Sequence, residues 1–172
     1  MSLIEKIKDR KPCYHLSFEE FIRSYAKYQG DNDENADLKF FNSVYEIYIY
    51  AAFIGLAKNK RYPMRDVSNK NKKDFWEIKN FKTVVDNLDY LLAILVSKNQ
   101  NIDFLALDNC TGGEIIDAAK KIVLDLEEYS NGGLKIMKDI KEREPTYFEK
   151  ETSFVNLLLA IKDKDSWIHN FI

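Results

Sequence analysis

Residues Leu38–Pro63 read LKFFNSVYEIYIYAAFIGLAKNKRYP, and this stretch decides the fold. Over its second half, apolar side chains fall on nearly every face of a helix. The segment therefore predicts a helix from about Leu38 to Lys58, capped by Asp37 and covered by neighbours on several sides. Its longest unbroken apolar run, Ile47 to Ile54, covers eight residues, against the roughly twenty a bilayer-crossing helix needs. With Lys39, Glu46 and Lys58 around that run, the expectation is a buried central helix and no membrane span. Gly55 costs about 1 kcal/mol in a helix relative to Ala, so its expected use is to let another backbone approach closely. Pro63 and the polar residues after it end the pattern.

Before the central helix, Ser17 and Glu20 have capping-box spacing, and Phe18, Phe21, Ile22 and Tyr25 follow at helical intervals. This predicts a first helix ending near Gly30, followed by an acidic loop over Asp31–Asp37. Beyond the central helix, Lys58 to Lys73 reads as a basic loop, and Asp74–Lys79, DFWEIK, reads as the first turn of a helix in preference to a brief strand. Val84, Val85, Leu88, Leu91, Leu92, Leu95 and Val96 form a stripe of period 3.6 and predict a third helix. Asn99 to Asn101 break it, and IDFLAL links it to a turn at Thr111-Gly112-Gly113. From Glu114, Ile115, Ile116, Ala119, Ile122, Val123, Leu126 and Tyr129 predict a fourth helix. Gly132-Gly133 either ends that helix or passes through it as a close-packing notch, and Pro145 stops the pattern in both cases. A last helix spans Glu151 to Lys162, with Trp167, Ile168 and Phe171 kept for docking the tail.

No segment alternates with period two between hairpin turns. The expected fold is all-α: a single-domain orthogonal helical bundle of about five to seven helices over residues 1–172, with little or no β-structure.

The chain has 172 residues, 45% hydrophobic and 31% charged, the balance of a globular protein that needs no disulfide or metal to fold. Its net charge of −2 supplies no global field toward nucleic acid or anionic membrane, so any such attraction is local. Cys13 and Cys110 read as free thiols. With no secretory leader in MSLIEKIKDRKP, the expected compartment is the cytoplasm.

The densest local charge is Lys58, Lys60, Arg61, Arg65, Lys70, Lys72 and Lys73, with Tyr62 and Trp76 nearby. Such residues can contact phosphates and stack on exposed bases. The competing reading is a solvated loop whose charge offsets the acidic segment. Asp66, Glu77 and Lys79 imitate the D…ExK set of metal-dependent nucleases, whose carboxylates hold magnesium on adjacent strands. The helical surroundings argue against it. Cys13, His15, Cys110 and His169 are the soft ligands of the chain, but their spacing lacks the paired geometry of zinc sites, so no metal and no cofactor is expected. Tyr45, Tyr48 and Tyr50 serve either a ligand pocket or, as the default, the core with their hydroxyls at its rim.

Two segments resemble a known family. Tyr45–Pro63, with its aromatic-rich helix, Ala-Ala-x-x-Gly step and basic residue before proline, is similar to a signature of small helical proteins associated with bacterial Dnd DNA-phosphorothioation defence systems. Glu127–Met137, EEYSNGGLKIM, resembles their second signature. The resemblance implies an accessory protein of a DNA-modification or restriction cluster, with no catalytic residues to carry over. Together with the basic loop, the expectation is a non-enzymatic protein that binds another protein, with nucleic acid as an optional second partner at that loop. The resemblance also implies packing roles for Tyr45, Ala51, Ala52 and Gly55, a basic exit residue at Arg61, and a second motif at Tyr129, Asn131 and Gly133. Ser130 and Gly132 depart from it, where alanine or another small residue is expected.

Overall fold

The computed structural model describes residues 2–28, 39–99, 102, 112–150 and 152–163. At its N-terminus, Ser2 Oγ accepts the Glu5 N–H while Glu5 reaches back to the Ser2 N–H, and this capping box opens α1, Leu3–Lys8. Strand β1 follows at Cys13–His15. Ser17 does not open a helix. It sits in a 3-10 turn, Leu16–Phe18, where its N–H donates to His15 Nδ1 at 3.1 Å, because the imidazole has taken the capping position.

Helix α2 spans Glu19–Tyr25 and stops short of Gly30. Ala26 turns extended and bridges Phe41, with the Phe41 N–H donating to Tyr25 O at 2.9 Å and the Lys27 N–H to Phe41 O at 3.0 Å. The same bridge delays the central helix. Phe41 is held extended, and Ser43 becomes the cap by accepting the Glu46 N–H at 3.3 Å, so α3 spans Val44–Ala57. The proposed Asp37 cap lies outside the described residues.

The segment expected to begin a helix at Asp74 is instead the end of strand β2, Lys72–Asp74, antiparallel to β1 with Cys13 opposite Asp74 and His15 opposite Lys72. Its continuation donates the Phe75 N–H to Pro12 O and the Ile78 N–H to Arg10 O, both at 2.8 Å. Those donors are unavailable for helical bonds, and only a 3-10 turn forms at Ile78–Asn80.

Helix α4, Val85–Lys98, buries Leu88, Leu91, Leu92 and Leu95 of the third stripe. Helix α5 runs unbroken over Gly112–Arg143, 32 residues or about 48 Å, so Gly132-Gly133 passes through it. Helix α6, Thr152–Lys162, closes the order. The Thr111 turn and the tail aromatics lie outside the described residues.

The described residues thus hold six α-helices and one two-stranded ribbon, a mostly-α molecule. None of the helices is long and apolar enough to cross a membrane. Ile7, Tyr14, Ile22, Ile54, Leu91, Leu126 and Leu157 belong to one contiguous buried cluster, with α3 packed most extensively on α5.

Candidate functional site

The two motif segments meet where α3 crosses α5. A β-carbon at Gly55 would strike the Tyr129 carbonyl, and one at Gly133 would strike the carbonyl of Ala51, so the glycines let two helix backbones touch. Ala51 and Ala52 are fully buried. Gly132 faces the Lys60 carbonyl, where an alanine methyl has no room. Ser130 Oγ is buried beside the Tyr48 phenol with no hydrogen bond of good geometry.

Asn131 fastens the N-terminal ribbon to this crossing. Its Oδ1 accepts the His15 N–H at 2.8 Å, and its Nδ2 donates to Cys13 O at 3.3 Å and Glu127 O at 2.8 Å. Glu127 Oε1 accepts the Cys13 N–H at 3.1 Å, and Tyr48 donates to Cys13 O at the same distance. Burial raises the Glu127 pKa above the usual carboxylate range, and burial followed by the nearby Glu127 charge pushes the Cys13 thiol far up. An inert, protonated thiol results.

The exit loop is sewn to α5 by Arg61. Its Nη1 donates to Asp125 at 2.5 Å and Glu128 at 3.0 Å, and its guanidinium lies 4.3 Å from the Tyr129 ring centre. Burial opposes that charge, but the two carboxylates outweigh it and the pKa is raised. The Tyr62 N–H donates to Glu128 O at 2.9 Å, and Tyr129 donates to Asn59 Oδ1 at 3.2 Å. Asn59 itself takes a left-handed φ of 49°, which asparagine tolerates.

The seven basic residues therefore part company. Arg61 is neutralised within the fold, and Lys73 pairs with Glu19 at 2.5 Å. Lys58 is half-buried at the end of α3, and burial lowers its pKa. Lys72 is half-buried on β2, whereas Lys60, Arg65 and Lys70 are exposed. Arg61 and Arg65 line a polar cleft of about 430 Å³ with Lys98 from the end of α4, Lys121 from α5, and the carboxylates Asp125 and Glu128. Lys98 and Lys121 escape a reading of the sequence, because only the packing of α4 beside α5 brings them to the loop.

Lys79 pairs with Asp9 at 2.9 Å, while Glu77 receives the Asn80 amide at 3.0 Å and faces Lys11 at 3.7 Å. Neither lies on a strand, and Asp66 is exposed on the turn after Met64. Cys13 and His15 share β1, but Cys110 and His169 lie outside the described residues. Among the described residues no three His, Cys, Asp or Glu side chains cluster to hold a metal ion. Tyr48 is fully buried, and Tyr50 donates to Phe154 O at 2.5 Å; Tyr45 stacks on Phe81 with ring centres 4.2 Å apart.

Comparison with known proteins finds no similar curated protein and no similar solved structure. A family match spans residues 28–166, most of the chain and both motif segments, in agreement with the resemblance they carry. On that match, the chain belongs to the family of DNA sulphur modification system-associated protein 4.

Proposed function

We propose that this chain is a non-enzymatic accessory protein of a bacterial DNA sulphur modification system, working in the cytoplasm as part of phage defence. It docks on another protein of that system and meets the DNA backbone through its basic edge. The observation that carries this reading is the polar cleft where Arg65, Lys98 and Lys121 surround the internally compensated Arg61. Cations held around a fixed scaffold suit phosphate contact, which is largely independent of base sequence. On α6, Val155 and Leu159 are 58% and 60% exposed and share one helix face with Leu158, which supports a protein partner.

Gel retardation of a duplex at rising salt tests the reading. Wild-type protein is expected to retard DNA with strong salt dependence. The triple variant Arg65→Glu, Lys98→Glu, Lys121→Glu should reduce the slope of log K against log salt by roughly 0.9 for each phosphate contact removed. Unchanged retardation by the variant overturns DNA contact at this edge. Magnesium in the same reactions addresses the alternative, a metal-dependent nuclease using Asp66, Glu77 and Lys79. Nicking that depends on magnesium and on Glu77 would favour it.

A further inference from the structure

The carboxylates of the polar cleft are engaged by the fold, and three of its cations are not. Lys121, Asp125 and Glu128 follow one another at intervals of four and three residues on one face of α5. Every carboxylate oxygen on that face accepts a protein donor: Asp125 takes Arg61 Nη1 at 2.5 Å and the Asn99 amide at 2.6 Å, and Glu128 takes Arg61 Nη1 at 3.0 Å and the Met64 N–H at 3.4 Å. Arg65, Lys98 and Lys121, by contrast, carry no hydrogen bond or ion pair among the described residues.

These cations come from separate elements, Arg65 from the exit loop, Lys98 from the last turn of α4 and Lys121 from α5, yet they line one hollow of about 430 Å³. With Arg61 they make four positive charges against two carboxylates, a surplus of two among the described lining residues. Like charges gathered at one place repel until an anion joins them. Arg61 can take part in holding that anion. Both carboxylates draw on its Nη1, which leaves Nε and Nη2 free of carboxylates on a side chain that is 41% exposed. The Tyr129 ring, 4.3 Å away, fixes the guanidinium plane.

We propose that this cleft binds a phosphate monoester, the terminal phosphate of a DNA strand end, an inference that rests on the DNA reading above and narrows it. A monoester carries about −1.5 to −2 charge at neutral pH and three terminal acceptor oxygens, which suits a surplus of two and three unpaired cations. A diester within the backbone carries a single charge. Tracking a backbone calls for cations strung along a groove, whereas these ring one hollow. Guanidinium donors meet phosphate oxygens side by side, so the spare edge of Arg61 adds direction to the charge.

Fluorescence anisotropy of the full chain tests this with one internally labelled duplex prepared with phosphates on its strand ends, with hydroxyls there, and covalently closed. The phosphorylated duplex is expected to bind about tenfold more tightly than the other two. Lys98→Gln and Lys121→Gln should each reduce that preference by about threefold or more, with unchanged melting temperature because neither side chain is bonded within the fold. Lys162→Gln, at the end of α6, should leave it intact. Equal binding of the phosphorylated and hydroxyl duplexes overturns the monoester site while leaving backbone contact at this edge standing. A preference that survives both lysine variants overturns it as well, by placing the phosphate elsewhere. Thymidine monophosphate added as competitor separates the two sources of a monoester: displacement only at far higher concentration than the duplex supports the strand end, and displacement at equal concentration overturns that assignment in favour of a free nucleotide. Binding of none of the duplexes would bring down the DNA reading together with this inference.

Discussion

Glu127 is a carboxylate whose chemistry the fold alters. It holds the Cys13 N–H at 3.1 Å from a half-buried position, and the groups facing it are Cys13, Lys72 and Asp74. Burial raises its pKa, so the native state keeps the proton more tightly than the unfolded chain does. Its stabilising share is therefore complete below the unfolded value, near the ordinary 4.5, and is lost as pH rises through the higher folded value. Glu127→Gln keeps an oxygen to accept the Cys13 N–H but cannot titrate. Urea unfolding at pH 4.5 and pH 7 should show the variant gaining on wild type at the higher pH. An equal difference at both would mean that Glu127 titrates normally.

Among the elements, the α3–α5 crossing depends on backbone contact. Gly133→Ala places a methyl against the Ala51 carbonyl, an obstacle no rotamer change removes. We predict a loss of about 3 kcal/mol, exceeding the gain of about 1 kcal/mol in helix propensity. Gly112→Ala is the control: it meets nothing within 4 Å and should be neutral or slightly stabilising by the same thermal denaturation measurement. Elements built on local periodicity, such as α4 and the first half of α5, were legible because a 3.6-residue stripe is a property of the segment alone. The continuity of α5 through Gly132-Gly133 was not, since a Gly pair ends a helix or notches it according to what packs there. The ribbon was hidden for a related reason. Its strands are three residues each, too short to alternate visibly, and the donors that forbid helix at Phe75 find acceptors more than sixty residues away. At the candidate site the cations could be seen in sequence, but not that Arg61 and Lys73 are compensated internally while Lys98 and Lys121 join the edge.

At the scale of the whole molecule, the N-terminal segment precedes the family match at residue 28 yet belongs to the core. Ile7 and Tyr14 are almost completely buried, and α1 packs on α5. Removing residues 1–15 would expose the surface they cover, break the ribbon, and strip Asn131 and Glu127 of the backbone groups they bind. Burial of two large side chains is worth about 1.5–3 kcal/mol each, and each orphaned polar group costs about 1–3 kcal/mol more. The sum, roughly 5 kcal/mol or above, is comparable to the whole stability of many domains. A chain starting at residue 16 should therefore melt about 10–20 °C lower than the full chain, or fail to fold cooperatively, in a thermal scan followed by circular dichroism. A melting temperature within a few degrees of the full chain would mean that α1 and β1 are an appended arm. The ribbon would then be dispensable to the crossing it decorates.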